Sequence, residues 1–178
     1  MNPSAAELID VLTSEGVLTG FRKPKDAIHR DGDWHRAAHI WIIAPDGRIL
    51  LQRRSLRKEN NPGLWDVSAA GHLSAGESAA GAAVRETFEE LGLTIAPSDL
   101  QVLTTVRESC ILNNNTYYDN EFHEIFLVRR DVDLSSLKLD PAEVAEVKWV
   151  NELRPDDSFV PHAEEYSLLS RLAAQRAK

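Results

Sequence analysis

The segment best suited to chemistry in this chain spans residues 71–93 and reads GHLSAGESAAGAAVRETFEELGL. Three of its glutamates, Glu86, Glu89 and Glu90, are spaced i, i+3 and i+4, so a helix would place their carboxylates on one face. Carboxylates held so close together repel one another unless a cation neutralises them. Because hard divalent cations such as Mg²⁺ take oxygen ligands, this spacing predicts a cation site.

A run of charge on a helix is more often a solvated surface, and three glutamates alone would favour that interpretation. The surrounding spacing, G-x5-E-x7-R-E-x-x-E-E-x-G, fixes seven positions instead of three. With each residue type at roughly 5–7% of a protein, such a match arises by chance below about once in 10⁷ starting points. The cation site is therefore favoured over a solvated helix face.

This spacing resembles the signature of the Nudix hydrolases. The segments HRAAHIWIIAPDGRILLQRRS and NPGLWDVSAAGH extend the resemblance to the Nudix branch that includes the isopentenyl-diphosphate isomerases, over about residues 7–153. One departure is Thr87, where the family usually has an aliphatic residue, although a threonine methyl can still pack. The resemblance implies an α/β fold, a Nudix α/β/α sandwich with a mixed β-sheet, as one domain over residues 1–178.

The resemblance also implies a hydrolase that cleaves a diphosphate by metal-activated attack of water. Its implied metal ligands are Glu86, Glu89 and Glu90, with Glu77 acting through water and Gly71 through its carbonyl. Arg85 is expected to hold these carboxylates in place through hydrogen bonds. Glu86 is also a candidate general base, although Nudix enzymes differ in which acid serves. The implied cofactor is one to three Mg²⁺ or Mn²⁺ ions.

Basic residues form a second group of candidates. In the isomerase relatives, basic residues of the corresponding segments bind the substrate diphosphate, and Lys25, Arg54 and Lys58 occupy the matching places here. The alternative for each is a solvated surface charge. We expect a small substrate with a diphosphate linked to another group, and a nucleoside diphosphate or its derivative is the leading candidate.

Three histidines and two acids support a competing hypothesis. The isomerases bind a metal through three histidines and acidic residues, and they protonate an alkene with a cysteine and a glutamate. His29, His35 and His72 fall near the histidine positions, while Asp119 and Glu121 resemble the acidic pair. A lone histidine is more often structural or exposed, so these residues receive no assigned role from the sequence.

The cysteine expected of an isomerase is missing. Ala70 stands immediately before the Gly71-His72 step, and a methyl group cannot transfer a proton. Cys110 lies in a different segment and is interpreted as a small core or loop residue. The isomerase therefore ranks below the hydrolase. A non-catalytic Nudix module that binds metal and ligand is a further alternative, disfavoured by the complete set of acids.

Composition limits the remaining classes. The chain has 178 residues, 43% hydrophobic and 27% charged, which is typical of a globular domain. A net charge of −8 argues against a nucleic-acid partner, and a single cysteine fits a reducing cytosol. Since no apolar run approaches the roughly 18 residues of a membrane span, we expect a cytoplasmic protein without a membrane partner. A homodimer through the N-terminal strands stays open.

The elements that must position these residues follow from the hydrophobic pattern. Residues 1–22 contain a predicted hairpin around Ser14-Glu15-Gly16, and residues 22–34 read as a loop. A second hairpin turns at Pro45-Asp46-Gly47, residues 56–64 read as a loop, and WDVSAAGH reads as a short strand. We call the signature segment, residues 71–93, the box. The predicted box helix covers residues 77–91 and ends at Gly92 in a left-handed cap.

The last third of the chain reads as strands and one helix. LQVLTTVRES and EFHEIFLVRR are predicted strands joined by a loop over residues 110–120, and VAEVKWV is another strand. Residues 162–176 form a predicted amphipathic helix that packs through Tyr166, Leu168, Leu169 and Leu172.

Overall fold

The computed structural model describes residues 7–174, and the chain opens with a small antiparallel sheet. Strands β1 (Leu8–Leu12) and β2 (Leu18–Pro24) form the predicted hairpin around residues 14–16. The predicted loop over residues 22–34 is wrong, because β2 continues to Pro24 and helix α1 (Lys25–Asp31) follows at once. Residues 1–6 of the predicted hairpin segment lie outside the described residues.

Helix α1 has terminal signals that its charged composition obscured. Pro24 precedes it with φ −60° and ψ 149°, and Gly32 ends it in the left-handed conformation at φ 74°. A proline at the start and a glycine just past the end are the usual punctuation of a helix. Ile28 and His29 are buried, at 0% and 1% exposed, so this short helix turns a histidine inward.

The main sheet is mixed, as predicted. Its path is β5-β4-β3-β8-β7, with β6 paired to β3 and β9 paired to β4; β3 and β8 are parallel, and the other pairs are antiparallel. The strands are β3 (His35–Ile43), β4 (Ile49–Arg54), β5 (Trp65–Asp66), β6 (Ala69–His72), β7 (Leu100–Leu112), β8 (Tyr117–Arg129) and β9 (Val144–Val150). WDVSAAGH thus forms two short strands rather than one.

The hairpin of β7 and β8 is longer than predicted. The loop expected over residues 110–120 is wrong, because pairing continues to Leu112 and Tyr117. Asn113, Asn114 and Asn115 make the turn at φ 52°, 56° and 68°. Asparagine enters this left-handed region more easily than most residues, so the polar run closes a tight turn. The acids that follow it are therefore placed on a strand.

Two helices cover the two faces of the sheet. Helix α2 (Ala79–Leu91) presses Ala82 and Ala83 against one apolar cluster that includes Ile40. Helix α3 (Ala163–Ala174) closes the opposite face with Tyr166 and Leu169. The predicted α/β/α sandwich is therefore confirmed. Residues 175–176 of the predicted C-terminal helix lie outside the described residues.

The box helix begins two residues later than predicted and ends as expected. The Ser78 side chain caps it by accepting a hydrogen bond from the Gly81 amide, and Gly92 ends it at φ 65°. A Cβ on Gly92 would lie 2.7 Å from Lys138 Cβ, so close packing as well as conformation requires glycine there. Across residues 7–174, no helix combines the length and the apolar character needed to cross a bilayer.

Candidate functional site

A cavity of about 470 Å³ gathers nearly all of the predicted site residues. The predicted residues that line it are Lys25, Arg54, Lys58, Gly71, Arg85, Glu86, Glu89 and Glu90. Ten carboxylates and four basic side chains line the cavity among the described residues. An anionic ligand entering this space would meet strong repulsion, so the cavity suits a diphosphate only together with cations.

The box carboxylate cluster, which we define as Glu77, Glu86, Glu89 and Glu90, surrounds one arginine. Arg85 donates through Nη1 to Glu86 at 2.6 Å and to Glu89 at 3.1 Å. It also donates through Nε and Nη2 to the two oxygens of Glu77, at 3.0 and 2.8 Å. Its Nη2 reaches the His72 carbonyl at 2.9 Å, which ties the helix to strand β6. The guanidinium therefore fixes three carboxylates and the end of β6 together.

Glu90 differs from the rest of the cluster in being buried. It is 4% exposed and accepts hydrogen bonds from Gln52 Nε2 and the Ala70 amide, both at 3.1 Å. Burial and the nearby charge of Glu86 raise the pKa of Glu90 to about 8. Gln52 Oε1 is buried without a hydrogen-bond partner among the described residues. The unpaired Gln52 oxygen and the Glu90 carboxyl, whose pKa is raised, together form an arrangement that suits a divalent cation.

Gly71 permits the close approach of strand β6 to helix α2. A Cβ on this residue would lie 2.1 Å from the carboxyl carbon of Glu86, well inside contact distance. Burial raises the pKa of the Glu86 carboxyl, despite the neighbouring Arg85. The glycine thus allows the Glu86 carboxylate to press against the backbone that carries a second predicted oxygen ligand.

The predicted substrate-binding residues reach the cavity from three directions. Arg54, at the end of β4, donates to Asp66 Oδ2 at 2.9 Å and to the Asn60 carbonyl at 3.0 and 3.2 Å. Lys58 forms an ion pair with Glu143. Lys25 opens α1, is exposed, and has no ion-pair partner among the described residues. Arg54 is therefore held in place, whereas Lys25 is available to a ligand.

Three histidines and two acids meet at the edge of the same cavity, in a group we call the pocket histidine cluster: His29, His35, His72, Asp119 and Glu121. The ring centroids of the histidines lie 4.7, 5.1 and 5.0 Å apart. Glu121 Oε1 lies 3.0 Å from His35 Nε2 and 2.9 Å from His72 Nε2, and Asp119 Oδ1 lies 3.4 Å from His29 Nδ1. Residues without an assigned role in the sequence are thus brought together by α1, β3, β6 and β8.

The nitrogen atoms of this cluster are suited to a metal. His29 Nε2 and His35 Nε2 are buried without a hydrogen-bond partner among the described residues, although Glu121 Oε1 lies 3.0 Å from the nitrogen of His35. Burial, with a smaller contribution from His35, lowers the pKa of His29 to about 4. Burial also lowers the pKa of His72 to about 3. The pKa of His35 is raised instead, because Glu121 outweighs the effect of burial there. The neutral imidazoles of His29 and His72 are in the form that binds metal, and His35 would have to lose its proton first.

Sequence reasoning missed a second group, the inner histidine cluster of His39, His123, His162 and Glu165. These four residues are 1–7% exposed, and their potential ligand atoms lie within 4.8 Å of one another. With the pocket histidine cluster they account for all six histidines of the chain. The sequence did contain one signal. His35 and His39 are an even number of residues apart on one strand, as are Glu121 and His123 on another, so each pair lies on one face of its strand.

Known proteins resemble this chain in both sequence and fold. The sequence model of the NUDIX domain family matches residues 33–167, which is most of the chain. The chain belongs to the NUDIX domain family. Nudix hydrolase 3 of Arabidopsis thaliana is 38% identical over 98% of this chain but only 24% of its own length, so the chain spans about a quarter of that relative.

Two further relatives bear on the activity and on the fold. An isopentenyl-diphosphate Delta-isomerase of Streptomyces coelicolor is 32% identical over 90% of this chain and 77% of its own length. The crystal structure of a MutT protein from Methanosarcina mazei Go1 superposes with a TM-score of 0.60 at 22% identity, covering 82% of this chain and 96% of the other. The MutT structure supports the fold alone. The other two relatives are named for different reactions, a hydrolase and an isomerase, so the reaction of this chain must be argued from its site.

Proposed function

We propose that this chain is a divalent-cation-dependent hydrolase that cleaves a diphosphate linked to a second group, with a nucleoside diphosphate or its derivative as the leading substrate class. The observation that carries the proposal is a shared cavity. Glu86 and Glu90 of the box carboxylate cluster line the same space as Lys25, Arg54 and Lys58. The proposed metal ligands and the proposed phosphate-binding residues thus line one space, which supports their action on a single diphosphate.

The box carboxylate cluster would hold the cation through Glu86, Glu89 and Glu90, with Glu77 through water and the Gly71 carbonyl as further ligands. A bound Mg²⁺ or Mn²⁺ would polarise the phosphoryl oxygens and lower the pKa of a nearby water. Arg85 keeps the carboxylates oriented through its bonds to Glu77, Glu86 and Glu89. Glu86 is the proposed proton acceptor, because burial raises the pKa of its carboxyl towards the range of a general base.

The basic residues would orient the substrate. Lys25 and Lys58 supply point charges to phosphate oxygens, and Arg54 supplies a planar donor held in place by Asp66. Because carboxylates outnumber basic residues in the cavity by ten to four, binding of the diphosphate is expected to require the cation. The proposal therefore includes a dependence of KM, as well as of turnover, on the metal.

The direct test is a product assay on purified protein with Mg²⁺ or Mn²⁺. The panel should contain nucleoside diphosphates, sugar nucleotides, dinucleotide polyphosphates, thiamine diphosphate and prenyl diphosphates. We expect cleavage of at least one P–O–P linkage, with ¹⁸O from labelled water appearing in one phosphate product. The absence of any released phosphate or phosphate ester across the panel, with either metal, would refute the proposal.

An isopentenyl-diphosphate isomerase is the second candidate, favoured by the pocket histidine cluster. The three histidines and Glu121 come together as the resemblance to the isomerases implies, and a relative with that name is 32% identical. Against it, Ala70 occupies the place of the isomerase cysteine, and Cys110 lies on β7 opposite Asp119 instead. Incubation with isopentenyl diphosphate separates the two, because an isomerase would form the dimethylallyl isomer without releasing phosphate.

A further inference from the structure

The inner histidine cluster converges on a single carboxylate oxygen. Glu165 Oε1 lies 2.8 Å from His39 Nδ1 and 3.1 Å from His123 Nδ1. The His162 ring completes the group, with its centroid 4.9 Å from that of His39 and 5.4 Å from that of His123. Strands β3 and β8 and the start of helix α3 thus direct three imidazoles and one carboxylate at a common, buried point.

Other atoms of these side chains have partners of their own, which orient the rings around that point. Glu165 Oε2 accepts a hydrogen bond from the Trp41 indole at 3.1 Å. His123 Nε2 lies 2.8 Å from Glu121 Oε2, and His162 Nε2 lies 3.4 Å from Asp66 Oδ1. Histidine ligands of metals usually donate their second nitrogen to a carboxylate or carbonyl in this way, which fixes the tautomer and the ring orientation.

The charges around His123 and His162 require a cation of some kind. His123 lies between the carboxylates of Glu121 and Glu165. His162 lies between Asp66 and Glu108, with Nδ1 3.3 Å from the latter. A neutral imidazole has one N–H and can donate to only one carboxylate. Either a second proton or a metal ion must therefore balance the other side.

One divalent ion supplies the same positive charge as two added protons. In the metal-free protein the carboxylates of Glu121 and Glu165 raise the pKa of His123 to about 10 despite its burial. Those of Asp66 and Glu108 raise the pKa of His162. A bound metal ion would displace these protons. Zinc with four nitrogen and oxygen ligands needs them about 3.3 Å apart. Since the potential ligand atoms already lie within 4.8 Å of one another, movements of under about 1 Å each would complete the coordination.

We propose that His39, His123, His162 and Glu165 form a second metal site that binds a zinc-type transition metal, separate from the cation at the box carboxylate cluster. Imidazole nitrogen favours such metals, whereas Mg²⁺ favours oxygen. The ion would tie the start of helix α3 to strands β3 and β8. It would also fix Glu121, whose two oxygens face His123 on one side and the pocket histidine cluster on the other.

The first experiment locates the metal in the full chain, purified without a metal-affinity tag. Crystals grown with added zinc are measured on both sides of the zinc absorption edge. We expect an anomalous difference peak among the four side chains of the inner histidine cluster. A map in which zinc lies only at the pocket histidine cluster or the box carboxylate cluster, or is absent altogether, would overturn the proposal.

The second experiment measures affinity with matched variants. Apoprotein is titrated with Co²⁺, whose visible absorption reports four-coordinate nitrogen and oxygen ligation, and then with competing Zn²⁺. Glu165→Gln and His162→Gln should lower the affinity of the inner site by more than about 100-fold. Trp41→Phe, which removes the N–H donor to Glu165 together with part of a fully buried indole, should lower it by about 10- to 100-fold.

The controls separate this site from its neighbours. His72→Gln removes a member of the pocket histidine cluster, and Glu89→Gln removes an exposed acid of the box; both should leave the visible cobalt spectrum of the inner site intact. If His72→Gln abolishes that spectrum while Glu165→Gln preserves it, the metal belongs to the pocket histidine cluster and the proposal is wrong. If Glu165→Gln does not fold, Trp41→Phe and the anomalous map of the unsubstituted protein still decide.

Discussion

The box carboxylate cluster and the two histidine clusters are built in opposite ways. The box cluster lies within residues 77–90, on one helix and the loop before it, and a single arginine binds three of its four carboxylates. The histidine clusters collect residues from position 29 to position 165, carried by α1, β3, β6, β8 and the start of α3. Helical periodicity places the first set, whereas strand pairing and the packing of α3 place the second.

The two regions also differ in chemistry. The box cluster offers oxygen ligands. Its exposure to solvent varies from Glu89, whose side chain is 55% exposed, to the buried Glu90. The histidine clusters offer mainly nitrogen and are buried, apart from the half-buried His72 and Asp119. We therefore expect the box to bind a hard cation that exchanges readily with the solvent and the substrate. We expect a metal ion bound at a histidine cluster to dissociate more slowly. Substitutions that affect one region without the other test this division.

The largest expected effect is the loss of a box carboxylate. Glu86→Gln and Glu90→Gln should each lower kcat/KM by more than about 100-fold, beyond the 10- to 100-fold typical of residues that only support metal ligands. Glu146→Gln, which removes an exposed partner of Arg53 on β9, is the matched control and should stay within about twofold. Steady-state kinetics at saturating Mg²⁺ measures all three. If the box variants keep half of the turnover, the histidine region would be the better candidate for catalysis.

The second prediction concerns the contact between β6 and α2. Gly71→Ala places a methyl group 2.1 Å from the carboxyl carbon of Glu86, so the carboxylate or the strand must move. A displacement of about 1 Å at a reacting group costs about 100-fold in rate. Gly81→Ala is the control, because its Cβ would lie 3.1 Å from the Ser78 hydroxyl and no closer than 3.6 Å to Glu77, which is ordinary contact distance. Equal activity of the two variants would mean that Glu86 does not depend on this packing.

The third prediction addresses the arginine that braces the box. Arg85→Lys keeps the charge but cannot make the separate bonds to Glu77, Glu86 and Glu89. We expect a loss of about 10- to 100-fold in kcat/KM, with a weaker apparent affinity for Mg²⁺. Arg53→Lys, on the exposed side of β4, is the control. A variant that loses rate without any change in its Mg²⁺ dependence would contradict the bracing role.

The local region was the easier one to predict. The box helix was placed within two residues, because its capping residue, its alanine face and Gly92 are all read from adjacent positions. The turn at residues 45–47 was equally plain. Errors arose where polar runs were taken for loops. Residues 25–31 form a helix marked by Pro24 and Gly32, and three asparagines close a turn much shorter than the run that contains them.

The histidine clusters could not be read from neighbouring residues. His35 meets Glu121 because β3 and β8 pair in parallel with those two residues in register, and nothing in either segment specifies that register alone. His162 and Glu165 reach His39 only when α3 has packed on the sheet. Alternation along each strand indicated which side chains share a face. It could not indicate which strands are neighbours, and that information comes from the whole core.

The smallest expected effect, a change in Mg²⁺ affinity with pH, separates the two regions by the protons they release. In the metal-free protein, burial and the charge of Glu86 raise the pKa of Glu90 to about 8. Below that pH the carboxyl holds a proton that a cation must displace, so affinity should rise with pH, by up to about tenfold per unit, and level off above pH 8.

Calorimetry in buffers of different ionisation enthalpy counts that proton directly. Glu90→Gln cannot release it, so its Mg²⁺ affinity should be weaker and less dependent on pH between about pH 6 and 8. His29 and His72, with pKa values of about 4 and 3, are already neutral across this range and contribute no proton. Burial also raises the pKa of the Glu86 carboxyl, so Glu86→Gln is measured alongside. A proton release that persists undiminished in both Glu90→Gln and Glu86→Gln would have to come from outside these two carboxylates, and the assignment of the cation to the box carboxylate cluster would lose its main electrostatic support.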